Sequence, residues 1–190
     1  MDRMYAPWRL AFIKGQETET LPSPTGCIFC DYPIPFGATL DDGPPPKGLS
    51  NTRRDRDRAR LIVTSREHAF VILNKYPYGN GHVMVVPRTH THRLEDLSPS
   101  AFAAVHELLH ETVAAVRAAY EPHGMNIGMN MGRAAGAGID EHVHYHVVPR
   151  WNGDVNFMPV LADTKVINEG LNDTWTRLCA TLRRPSDDAA

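Results

Sequence analysis

Apolar positions cluster in short, dense runs between residues 61 and 87. Leu61-Ile-Val-Thr64, Ala69-Phe-Val-Ile-Leu73 and His82-Val-Met-Val-Val-Pro87 are rich in β-branched and apolar residues, which is the pattern of strands. Asn74 to Asn80 contains Pro77 and Gly79 and reads as a turn, with Gly81 leading into the third run. From Ser98 the period changes. Phe102, Val105, Leu109, Val113, Val116 and Tyr120 recur at helical spacing behind a capping hydroxyl and Pro99, so a helix is predicted over 98–120, stopped by Pro122-His123-Gly124. Strand patterning returns in Met125 to Asn130 and in Glu141 to Pro149, on either side of the glycine-rich stretch Gly132 to Gly138. A turn at Trp151 to Asp154 and a helix near Asp173 to Leu182 complete the reading. About five antiparallel strands, one long helix packed on a face of the sheet and a C-terminal helix make an α+β fold.

A chain of 190 residues with 42% hydrophobic content suits one domain with its own core, over 1–190. Its parts are an N-terminal segment 1–34, an inserted loop 35–60, a core 61–160 and a tail with its helix, 161–190. The loop is read as a partly mobile surface insertion. It runs through Gly43-Pro-Pro-Pro-Lys-Gly48 and then Arg53-Arg-Asp-Arg-Asp-Arg58, whose charges neutralise one another; a phosphate-binding basic patch is the alternative. A net charge of -2 gives no bulk attraction for nucleic acid or a membrane surface. The N-terminal run Met1-Asp-Arg-Met-Tyr-Ala-Pro-Trp-Arg9 has no apolar stretch of signal-peptide length and no later segment approaches the roughly 18 apolar residues of a membrane span, so a cytoplasmic protein is expected.

Candidate chemistry concentrates in His142-Val-His144-Tyr-His146-Val-Val-Pro149. On a strand the three imidazoles share one face, while Val143, Tyr145 and Val147 take the other. Imidazole near neutral pH is a nucleophile, a general base or a metal ligand. A solvated edge face is the bland alternative, disfavoured by the apolar opposite face. The preceding loop, Gly132-Arg-Ala-Ala-Gly136-Ala-Gly138, can bring backbone amides close to a phosphate because glycine has no Cβ, so a phosphate beside the histidines is expected. Three cysteines are too few for a disulfide framework, and Cys27-Ile-Phe-Cys30 has the spacing of a metal or redox pair. Cys179 reads as a buried apolar residue. His106 and His110, four apart on the helix, could share a metal but read better as packing or solvent-facing residues.

The triad run with Pro149-Arg150, the upstream Gly81-His82-Val-Met-Val-Val-Pro87-Arg88-Thr-His90 and the tract Asn126-Ile-Gly-Met-Asn130-Met-Gly132 together resemble the histidine triad superfamily of nucleotide hydrolases and transferases. That resemblance implies a nucleotide phosphoanhydride substrate and a covalent nucleotidyl intermediate on His144. It places His146 at the phosphate or leaving oxygen, His82 and Asn130 on the phosphate side with Gly136 and Gly138, Asn74 at the ribose and Ile72 by the base. In the zinc-bearing branch the ligands correspond to Cys27, Cys30, His90 and His142, with His92 as an alternative fourth. The zinc, one per protomer, would be structural and would fix the strand that presents His144. A redox role for the cysteine pair is the competing reading. The tail Trp151-Asn-Gly-Asp-Val-Asn-Phe-Met158 is similar to bacterial dinucleoside tetraphosphate phosphorylases, which use inorganic phosphate as acceptor. A homodimer through the long helix and a neighbouring strand is also implied. One departure stands out: Gly138 and Ile139 occupy positions where many members carry a glutamine and a hydroxyl residue, so side-chain hydrogen bonds to the leaving group are expected to be missing. A nucleoside phosphoramidase and a non-catalytic nucleotide binder are the alternative functions.

Overall fold

The computed structural model describes residues 23–34, 52–154, 169–184 and 187. Five antiparallel strands form one sheet in the order β1-β2-β3-β5-β4: β1 (Ile62–Ser65), β2 (Ala69–Leu73), β3 (Val83–Pro87), β4 (Gly124–Met129) and β5 (Tyr145–Arg150). Among the described residues four α-helices accompany it: α1 (Ile28–Asp31), α2 (Arg53–Ala59), α3 (Pro99–Tyr120) and α4 (Leu171–Leu182). No described helix is long and apolar enough to cross a membrane.

Alternation along the strands divides the core in two. Val63, Val71, Leu73, Val83, Val85 and Val147 face α3 and α4. Ile62, Phe70, Ile72, Met84 and Val86 face the other way, toward Cys27 and Phe29 of the N-terminal segment. Register fixes a row across this second face: Ile62 pairs with Ile72, Ile72 with Met84, and Met84 with His146. A histidine thus continues an apolar row, and the functional face is the one not covered by the long helix.

The long helix begins as expected, with Ser98 Oγ accepting from the Ala101 amide at 3.2 Å and Pro99 in the first turn, and ends on Glu121 in the left-handed region. Its buried stripe is Ala101, Val105, Leu108, Thr112, Ala115 and Val116, whereas Phe102 is 41% exposed. Of the residues that mark the period, Val105 and Val116 lie in the stripe, while Leu109, Val113 and Tyr120 pack partly buried beside it.

Two expectations are corrected. The run 53–58 is not loop: it forms α2, capped by Thr52 Oγ1, which accepts from the Asp55 amide at 3.1 Å. Arg53, Arg56 and Asp57 are buried, and Asp57 Oδ2 accepts from Arg183 Nη2 at 2.8 Å, with both side chains at most 2% exposed. A charge pattern that looks self-neutralised along the chain is instead neutralised across it. The rest of that proposed loop, 35–51, and the tail over 155–168 lie outside the described residues. Second, the triad segment enters regular pairing only at Tyr145; His142 lies in a bend, and the lead-in is tied by the Val143 amide to Thr91 O at 2.8 Å.

The C-terminal helix covers the outer edge of β1. Trp175 Nε1 donates to Ile62 O at 2.7 Å, and Val63 O, beside a register slip between Ile62 and Thr64, accepts from Arg183 Nη1 at 3.1 Å. Side chains take the place of a sixth strand.

Candidate active site and metal centre

A cavity of about 270 Å³ opens on the Ile72–Met84–His146 row. His144, His146 and Gly138 border one part of it; Ile72 and Asn74 of the β2 end border the middle, with Met84 beneath. Hydrogen bonds assign the proton positions. His144 Nδ1 donates to the carbonyl of His142 at 2.8 Å, which leaves Nε2 unprotonated in the neutral ring. Burial lowers the pKa of His144, favouring that neutral form. The carbonyl acceptor comes from the triad's own backbone, so the lead-in that escapes strand pairing serves to orient the ring.

His146 is set by a relay. The Tyr78 amide donates to His82 Nδ1 at 3.0 Å, so His82 carries its proton on Nε2, which stands 3.0 Å from His146 Nδ1. His146 accepts there and carries its own proton on Nε2. The two cavity histidines therefore have opposite characters, His144 with a lone pair and His146 with an N–H.

The expected site residues divide accordingly. His144, His146, Asn74, Ile72 and Gly138 border the cavity, while His82 acts one shell back through His146. Asn130 and Gly136 do not border it. The glycine loop is not an open amide nest: the amides of Ala135 and Ala137 bond to Gly132 O, and that of Gly136 to Arg133 O. A short 3₁₀ turn, closed by Gly136 at φ 88°, uses these donors internally. Several bordering residues carried no sequence signal, among them Ile28, Tyr78, Arg60 and Leu171. Ile28 could have been suspected from its place inside the cysteine pair.

His142 leaves the cavity altogether. Its Nε2 donates to Pro87 O at 2.8 Å, which turns the Nδ1 lone pair toward Cys27 Sγ at 3.4 Å and Cys30 Sγ at 3.7 Å. His90 Nδ1 lies 3.2 Å from Cys30 Sγ. One ligand atom from each of Cys27, Cys30, His90 and His142 falls within 4.8 Å of the others, and His92 is not among them. A tetrahedral zinc with Zn–S near 2.3 Å and Zn–N near 2.0 Å spaces its ligands by about 3.3–3.8 Å, which matches these separations. Burial holds His142 down to about 4, the neutral ligand form, and pushes Cys30 up to about 11, a cost that a bound cation would reverse. The donor set, the preset tautomer and the two converging thiols, Cys27 buried and Cys30 half-buried, all fit a metal. His106 and His110 form no such centre: His106 donates to Phe102 O and accepts from the Tyr145 hydroxyl at 3.1 Å.

The two centres touch through Phe29. Buried between them, its ring centroid is 5.4 Å from that of His142 and 4.9 Å from that of His144. Asp31 closes the turn that leads into α1 by accepting from Ser23 Oγ at 2.6 Å and Thr25 Oγ1 at 2.9 Å.

Residues 56–153 match the HIT domain family. A Mycobacterium tuberculosis protein named AP-4-A phosphorylase is 41% identical over 125 residues, which span 66% of this chain and 64% of that protein. The structure of a Zn-bound histidine triad family protein from Mycobacterium smegmatis superposes with a TM-score of 0.53 at 30% identity, covering 64% of this chain and 83% of the other. A hypothetical histidine triad nucleotide-binding protein from Sulfolobus tokodaii shares the fold, with a TM-score of 0.53 at 22% identity over 64% of this chain and 83% of its own.

Proposed function

The chain belongs to the HIT domain family, and we propose from this that it is a nucleotidyl-transferring enzyme that cleaves a phosphoanhydride of a dinucleoside tetraphosphate such as diadenosine tetraphosphate. The observation that carries the reading is the pairing of an imidazole lone pair on His144 with an imidazole N–H on His146 at one cavity. Phosphoryl-type transfer needs an in-line nucleophile and a donor for the departing oxygen.

In the proposed reaction His144 Nε2 attacks the α-phosphorus, and the bond from that phosphorus to the bridging oxygen breaks. His146 Nε2–H donates to the phosphate oxygens or to the departing one, a role that gains weight because Gly138 has no side chain to offer. The acceptor, inorganic phosphate or water, then attacks the phosphorus of nucleotidyl-His144, releases the nucleotide and restores the neutral ring. Asn74 would meet the ribose and Ile72 the base. The similarity to the mycobacterial phosphorylase supports phosphate as acceptor. Zinc, when bound by Cys27, Cys30, His90 and His142, would supply a structural tie. Phe29 then keeps its packing against His144, and the expected solution state is a homodimer acting in the cytoplasm.

The test is incubation of purified protein with diadenosine tetraphosphate, with and without inorganic phosphate, and separation of the nucleotides. ADP plus ATP only with phosphate supports a phosphorylase; AMP plus ATP without it supports a hydrolase. Full activity in His144→Ala would sink the mechanism. Turnover of adenosine 5'-phosphoramidate in place of the tetraphosphate would favour a phosphoramidase, and tight nucleotide binding with no turnover a binding protein.

A further inference from the structure

The end of the cavity farthest from the histidines is built partly by a helix outside the family-matched residues, and we propose that Leu171 at the start of α4 is a specificity-determining residue, the wall against which the nucleobase packs. This rests on the nucleotide reading above. The row Ile62–Ile72–Met84–His146 crosses from β1 to β5, three strand spacings or about 14 Å. His144 and His146 stand at the β5 end. At the β1 end the cavity is bordered by Arg60, Leu61 and Leu171. A nucleotide whose phosphate meets the imidazoles and whose ribose meets Asn74 can extend its base along this row, where Leu61 and Leu171 offer it aliphatic surface beside Arg60. Apolar walls with few polar groups are what a flat heterocycle requires.

Two features show that this end is constructed rather than incidental. Leu61 adopts φ 61°, a left-handed backbone that is strained for a leucine, and it packs against both core layers and borders the cavity. Leu171 is fixed by its helical neighbours: Asn172 Oδ1 accepts from Arg58 Nε at 3.4 Å, and Trp175 lies against the guanidinium groups of Arg54 and Arg58, 5.4 and 5.7 Å from its ring centroid. Trp175 also donates to Ile62 O, so α4 cannot slide along the strand without losing a buried hydrogen bond. A preset wall discriminates by size, because the base cannot push it aside.

Affinities of the full chain for AMP and for cytidine 5'-monophosphate, measured by calorimetry in wild type, Leu171→Ala and Leu171→Trp, test this. Leu171→Trp, which fills the base end, should weaken AMP at least about tenfold and the smaller pyrimidine nucleotide less, lowering the AMP:CMP affinity ratio. Leu171→Ala should also move the ratio, with a melting temperature within a few degrees of wild type. Distortion of the fold would weaken both nucleotides alike, so an unchanged ratio in both variants overturns the proposal. Wild-type protein that binds AMP but turns over no tetraphosphate refutes the reaction and leaves the wall standing. Turnover with unaltered ratios in the variants refutes the wall alone.

Discussion

His82 reaches the cavity through His146: its Nε2 stands 3.0 Å from His146 Nδ1 while its own Nδ1 accepts from the Tyr78 amide. The pair works as one unit whose output is the N–H of His146. Replacing His82 with Ala should lower kcat about tenfold, the worth of one such hydrogen bond, with little change in KM. Gln at this position can accept from Tyr78 and donate to His146, so His82→Gln should keep most of the rate. Steady-state kinetics of both variants decide; equal losses would show that the relay is not what the ring supplies.

The metal centre should govern activity without touching substrate. Elemental analysis of freshly purified protein should find one zinc per chain. Cys30→Ala should lose the metal, lower the melting temperature and reduce turnover, since Phe29 sits between the ligand His142 and His144. Fully active protein without metal would refute this.

The buried pair of Asp57 and Arg183 should hold α2 to the end of α4. Removing one partner strands a charge, so Asp57→Ala should cost about 3–5 kcal/mol in urea unfolding. Asp57→Ala combined with Arg183→Met should recover part of that loss. Additive losses would mean that the two side chains do not depend on each other.

That pair also marks where a sequence stops being readable. The strands, the long helix and the Cys27-Cys30 pair announce themselves through local period and spacing, because their neighbours along the chain carry the pattern. Arg53 to Arg58 looks solvated because the group that balances Asp57 comes from Arg183, far along the chain. The His82–His146 contact has the same origin: it exists because β3 lies beside β5, a strand order that no local run encodes. Triad residues could be assigned to a face from alternation. That His142 turns to the cysteines while His144 turns to the cavity depends on which carbonyl each ring nitrogen meets, Pro87 O or His142 O. The glycine loop misled for a related reason, since glycine content signals approachable backbone but not whether the amides are already spent on their own turn.

A homodimer should form across α3 and β4. Ile127, the register partner of Val147, lies on the sheet face that carries α3 and is 48% exposed; Phe102 on α3 is 41% exposed. Light scattering should give twice the chain mass, and Ile127→Glu should give monomer. A wild-type monomer would remove this expectation.

The donors that α4 sets against β1 have a further consequence for how the sheet can grow. Trp175 and Arg183 occupy backbone acceptors that an incoming strand would need, whereas β4, at the other margin, pairs only with β5 among the described strands. Strand addition is therefore one-sided. Two copies can join β4 to β4 about a two-fold axis and close, but a head-to-tail series, which needs both margins open, has nowhere to begin.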